Sequence, residues 1–260
     1  MIKLSKLQQY LDNFLNFDRK LDIPRIDPYM TNGLMIKGRS DVKKIGFGVS
    51  ASLALFEKAL NSECDAVIVH HSFNLPSHNR YDELFQSRIG YLVKNEISLF
   101  GYHFLLDAHP EIGNNVQILK KIGATQVFEY LHHGSPWGWI GELAKNNDIS
   151  SIEKKLKIYL SPRLIVYKFG PKQVERIVAV SGKGAPIASD MQFLIDKKID
   201  LYITGEAHEW NREMFRETKI NFIAGGHYAT EIFGIKALMD KVKEQFTGVQ
   251  TEWIELENEI

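Results

Sequence analysis

The chain carries a single cysteine, Cys64, among its 260 residues. An internal disulfide framework is therefore impossible, and a reducing compartment is the expectation. Cys64 stands between Glu63 and Asp65, just ahead of a strand-like run, and reads as a spectator thiol. An excess of one charge is lacking too: Lys+Arg and Asp+Glu each total 32, so composition gives no reason to expect a nucleic-acid or membrane partner. No apolar run approaches the length of a transmembrane helix. The opening MIKLSKLQQYLDNFLNF lacks the apolar centre and small-residue cleavage site of a signal peptide, and the expected location is cytoplasmic. No Pro-rich linker, low-complexity stretch or internal repeat is visible. SGKGA is Gly-rich but lacks the spacing of a phosphate-cradling Walker loop. No G-x-S-x-G elbow occurs, which disfavours covalent nucleophilic catalysis.

What is present is an ordinary globular composition, 44% apolar and 25% charged, in a chain long enough for one large domain or two modest ones. Leu4, Leu7, Leu11, Phe14 and Leu15 recur at helical spacing, with Ser5 and Gln8 as a capping box. Strands are expected near 34–37, 44–49, 65–69 and 97–102, with helices over 52–61, up to Asn95 and up to Ile122. The segment HFLLDAHPEIGNN reads as a loop. Beyond about residue 125 come WGWIGEL, RLIVYKF, RIVAV, DLYIT, NFIAG and TEWIEL as strands. Helices over 151–159, to Lys197, over GEAHEWNREMFRETK and from GHYATEIF onward separate them. Strands alternating with helices predict an α/β fold with a largely parallel sheet, whose ligands sit beyond the carboxyl ends of the strands.

Four strand ends carry residues suited to chemistry. AVIVHHSFN ends in His70 and His71, whose side chains should point to opposite faces if the strand continues through them. His103 and Asp107 follow the next strand, where Asp107 reads either as a turn or cap residue or as a ligand. His227 and Glu231 lie at i and i+4 on one helix face after Ala224-Gly225-Gly226. Glu206, at another strand-to-helix junction, reads as a supporting base or a first-turn residue. His70, His71, Asp107, His227 and Glu231 are too few for two closed sites but enough for two adjacent metals sharing a bridging carboxylate. Nitrogen and oxygen donors without thiolate suit zinc, iron, manganese, cobalt or nickel. His132–His133 has no carboxylate at ligand spacing and reads as a surface or packing pair.

The same residues resemble a known family: the NIF-three-like dinuclear metal-centre hexameric proteins, also described as GTP cyclohydrolase I type 2 homologues. TNGLMIKG, VIVHHSF, GYHFLLDAHPEIGNN, WIGEL, ITGEAHEW and AGGHYATEIFGIKAL are similar to its successive signatures over most of the chain, and the length matches its short form. Ser72 and Tyr228 depart from the pattern without removing a ligand. The resemblance implies two interleaved α/β lobes with mostly parallel central sheets and a metal pair in the cleft between them. The lobes are expected over 1–125 plus 226–260 and over 126–225. It implies the same five ligands, with His103 beside the metals, and a ring-shaped homohexamer. The functional expectation is a metal-dependent hydrolase acting on a small, nucleotide-like molecule, with His103 or Glu206 moving the proton. Lys183 and Arg80 are candidate basic residues for a phosphate-bearing substrate. The other reading is a non-catalytic metal-binding or adaptor protein.

Overall fold

The computed structural model describes residues 1–18, 20–74, 81–144, 147–256 and 258. The chain divides into two compact units, Met1–His109 with Ile235–Glu257, and Pro110–Gly234 with the last residues from Asn258. The first contains β1 (Ile2–Lys3), α1 (Leu4–Leu15), α2 (Ile23–Ile26), β2 (Asn32–Ile36), β3 (Asp41–Val42), β4 (Lys44–Ser50), α3 (Leu53–Asn61), β5 (Ala66–His71), α4 (Glu83–Lys94), β6 (Ser98–Tyr102) and α5 (Phe104–Ala108). The second contains α6 (Asn114–Ile122), β7 (Thr125–His132), β8 (Ser135–Glu142), α7 (Ile149–Tyr159), β9 (Ile165–Tyr167), β10 (Arg176–Val180), α8 (Ala188–Asp196), β11 (Leu201–Thr204), α9 (Asn211–Thr218) and β12 (Asn221–Ala224). It also holds the start of α10 (His227–Gln245), and β13 (Gln250–Trp253) belongs to the first unit.

The first unit is built on a sheet ordered β13-β4-β5-β6-β2, parallel except at β2. Its central strand is buried on both faces: Ala66, Val67, Ile68 and Val69 have no exposed surface. Each of its Val and Ile side chains contributes roughly 1.5–3 kcal/mol of burial, and burial on both faces explains a strand that reads as a continuous apolar run rather than an alternating one. Ser52 caps α3 through Leu55 N–H, and Asp82 caps α4 through Phe85 N–H. The second unit's sheet is ordered β7-β8-β10-β11-β12-β9. Its centre, β10-β11-β12, is parallel, and β8 and β9 flank it antiparallel. A two-residue hairpin turn joins β7 to β8, which must therefore run antiparallel.

Under the unlike sequences the two units share one scaffold. Apart from the short α2 and β3 of the first, each runs helix, edge strand, strand, helix, strand, helix, strand, helix: α1-β2-β4-α3-β5-α4-β6-α5 in the first and α7-β9-β10-α8-β11-α9-β12-α10 in the second. In each, the edge strand lies antiparallel beside the third parallel strand. Asp65 Oδ2 accepts the amides of Lys43 and Lys44 at 2.7 and 3.2 Å. Asp200 Oδ2 accepts those of Glu175 and Arg176 at 2.8 and 3.0 Å. Glu63, Glu96, Lys198 and Lys219 all turn with φ between +53° and +56° shortly before a parallel strand. The repeat invisible in the sequence is thus present in the backbone.

Three local expectations change. Helix α1 starts at Leu4, whose amide donates to Ser40 O, so Ser5 lies inside the helix and caps nothing. Strand β7, unforeseen, is an edge strand with Val127 and Leu131 exposed, which blurs its alternation. Residues 205–210 are not helical: Asn211 Oδ1 accepts from His208 N–H and delays α9 to Asn211. No described helix is long and apolar enough to cross a membrane.

Candidate metal centre

In the first unit the parallel strands deliver their donors at the carboxyl edge. His70 is fully buried, and its Nδ1 lies 2.9 Å from the carbonyl oxygen of Tyr102. A carbonyl only accepts, so Nδ1 carries the proton and Nε2 the lone pair. That Nε2 stands 3.4 Å from Asp107 Oδ2. His71 Nδ1 is 3.2 Å from Ser50 Oγ on the neighbouring strand. The expectation that the adjacent histidines aim apart is not met: their rings lie 4.6 Å apart. They occupy the last two positions of β5, where an imidazole can lean past the strand end. Both approach the ring of His103, at 5.0 and 5.4 Å.

Asp107 lies on a short helix, α5, with His103 just ahead of it, where a loop was expected. His103 precedes α5, and its carbonyl accepts from both Leu106 N and Asp107 N at 3.0 Å. Five residues, four of them apolar and the fifth Asp107, are too few to show a helical period, which hid this turn. Asp27, a residue the sequence did not single out, holds His103: its Oδ2 accepts from Nδ1 at 2.9 Å. Burial works against ionisation of Asp27, but His103, Asn32 and the Phe104 amide outweigh it and hold the carboxyl below its usual range. Asn32, from the TNGL segment, donates to Asp27 at 2.8 Å and accepts from Leu105 N at 3.1 Å. His70, His71 and His103 each offer a ring nitrogen within 4.8 Å of the others, a group able to hold a metal ion.

The second unit presents its own donors where β10, β11 and β12 end. The three loops there are stitched together: Glu206 N donates to Gly182 O and Gly226 N to Gly205 O, both at 2.9 Å. Gly182 N donates to Thr230 Oγ1 at 3.1 Å. His227 opens α10, and its Nδ1 lies 2.5 Å from Glu206 Oε1 while its Nε2 faces Glu231 Oε1 at 3.1 Å. Burial pulls the His227 pKa down, but Glu231 and then Glu206 outweigh it and raise it to about 9. Gly182, at φ +56°, leaves room for this pair, since a Cβ there would collide with Glu231 Oε1 and stand 3.1 Å from His227 Nε2.

The donor set fits a divalent metal. Ligating histidines characteristically donate their second ring N–H to a carbonyl or carboxylate, and Tyr102 O and Glu206 are placed to receive it from His70 and His227. Other candidates fall elsewhere. His109 is buried, with Nε2 3.1 Å from Phe14 O and its ring 5.0 Å from Phe14, and anchors α1. Burial pushes the Cys64 thiol up to about 11, so it stays protonated, as a spectator should. Lys183 is exposed beside Gly182, and Arg80 lies outside the described residues.

A family model described as Duf34/NIF3 (NGG1p interacting factor 3) matches residues 2–259. The chain belongs to the NIF3 family. A relative from Archaeoglobus fulgidus, called a GTP cyclohydrolase 1 type 2 homolog, is 32% identical over 98% of each chain. One of the same description from Pyrococcus horikoshii is 37% identical over 96% of each. Among solved structures, protein ybgI, titled as of unknown function, aligns over the whole of both chains with a TM-score of 0.86 at 32% identity. TTHA1606 from Thermus thermophilus does so with 0.84 at 28%. These matches agree with the α/β, two-lobed fold expected of the NIF3 family.

Proposed function

We propose that this NIF3-family chain binds two divalent metal ions through His70, His71, Asp107, His227 and Glu231 and uses them to hydrolyse a small, nucleotide-like substrate. The observation that carries the reading is the aim of the two supported histidines. His70 and His227 each engage one ring nitrogen with an acceptor and turn the other toward a carboxylate. Five ligands divided over two ions leave open positions for water. Bound divalent metals supply Lewis-acid polarisation and bring the pKa of water toward neutrality. His103, its Nδ1–H held by Asp27, takes up the proton at Nε2, and Asp27 steadies the resulting imidazolium. Glu206 orients His227. The substrate class rests on the relatives' description as GTP cyclohydrolase homologues, and the family resemblance supports a homohexamer.

The test is a metal-loaded sample screened against nucleotides and phosphoesters. Turnover should vanish in Asp107→Ala and Glu231→Ala with the fold intact by circular dichroism. Full metal occupancy without turnover across the panel would overturn the hydrolase reading and leave a metal-binding or adaptor protein.

A further inference from the structure

The second histidine pair has a carboxylate partner that sequence spacing conceals. His132 closes β7 and His133-Gly134 form the hairpin turn, with φ +50° and +78°. Tyr130 and His132 lie on the sheet face that packs α8, where Tyr130 shares a core with Met191 and Leu194. Asp190 stands in the first turn of that helix, 58 positions further on in sequence, and its Oδ2 lies 4.0 Å from His132 Nδ1. His132 is 7% exposed, and its Nδ1 is buried without a hydrogen-bond partner. Burial, with His133 adding to it, lowers the His132 pKa to about 4, so the imidazole keeps a lone pair at neutral pH. A buried polar nitrogen without a partner is costly, and an ion shared with Asp190 would satisfy it.

We propose that His132, His133 and Asp190 form an accessory site for a borderline divalent cation such as Zn²⁺, separate from the centre described above. Tetrahedral ligands about 2.1 Å from one ion stand about 3.4 Å apart, so an ion enters once the 4.0 Å gap between His132 and Asp190 narrows by a side-chain adjustment. His133, exposed at the tip with its ring 4.0 Å from that of His132, rotates in as the third ligand. Water completes the shell, which makes the site open and reversible. Asp190 already accepts the Ile187 amide at 3.0 Å, which holds the carboxylate in place.

The test is Zn²⁺ titration of the chelator-treated full chain by calorimetry, with diethyl pyrocarbonate labelling of His133 read by mass spectrometry. The wild type should take up one equivalent more than Asp190→Asn or His133→Ala. Their affinity for it should fall about tenfold or more, and Zn²⁺ should protect His133 from labelling. His133→Ala is a surface change at the hairpin tip, so its result stands even if His132→Gln fails to fold. The extra equivalent should persist in Asp107→Ala, which separates this site from the first. Identical Zn²⁺ uptake by wild type, Asp190→Asn and His133→Ala, with His133 labelled equally with and without Zn²⁺, would overturn the proposal.

Discussion

The two units build one scaffold and furnish it differently. Counted from Asp65 and Asp200, which staple the same strand starts, His70-His71 occupy the positions of Gly205-Glu206. After the third parallel strand, each unit places a histidine four residues ahead of a carboxylate: His103 with Asp107, five positions past Ser98, and His227 with Glu231, six past Asn221, where Ser98 and Asn221 donate their amides to Asp65 O and Asp200 O. The frame thus repeats the imidazole–carboxylate pair where the sheet presents ligands. Function diverges at the middle strand, where one unit ends in two imidazoles and the other in a glycine and the glutamate that grips His227. The lesson is that a donor's place is set by topology and its identity by local chemistry, so equivalent places need not hold equivalent ligands.

This comparison is sharpest when donors are removed from one unit at a time. His70→Ala/His71→Ala and His227→Ala/Glu231→Ala should each reduce elemental metal content from about two ions per chain to well below one. If each variant instead loses a single ion, the two units hold metals separately. Asp27→Asn and Glu206→Gln remove the matching supports of His103 and His227. The Glu206 change should weaken metal binding about 10–100-fold, while Asp27→Asn should lower kcat and leave metal content intact, as proton transfer at His103 requires. Acidity gives a third handle on the metal-free chain. The folded His227 pKa of about 9 exceeds the ordinary 6.5, so its stabilisation is full below pH 6.5 and is lost as pH rises through 9. The contribution is on the order of 3 kcal/mol, and denaturant midpoints in chelator should show a decline over that window that His227→Gln abolishes. Smallest, Asp65→Ala and Asp200→Ala should cost similar stability, about 1–3 kcal/mol each, since each leaves two backbone amides without their acceptor. Very unequal losses would argue against the staples being equivalent.

Much of the frame was legible because the parallel strands announce themselves. Ala66–Val69, Arg176–Val180 and Leu201–Thr204 are dense in β-branched and apolar residues that burial on both faces demands. The candidate donors stood out because polar residues directly after such runs are unusual. What escaped notice was contact across distance. Asp27 meets His103 from 76 positions away, and Asp190 meets His132 through the packing of a helix on a hairpin, so spacing carried no trace of either. The shared scaffold escaped as well, because it is carried by backbone hydrogen bonds and left-handed turn residues that different side chains satisfy equally.

The position of β13 bears on how the chain acquires its shape during synthesis. Ile254, just past this strand, donates to Phe47 O at 2.8 Å and is 4% exposed within the core of the first unit. Strand β4 must therefore wait for a neighbour about two hundred residues downstream, a closure with a substantial entropic toll and slow kinetics. The stretch from Pro110 to Gly234 is continuous and has no such wait. A nascent chain should thus complete its middle before its beginning, and until the ribosome delivers the last strand, the flank of β4 stays open to pairing with the wrong partner.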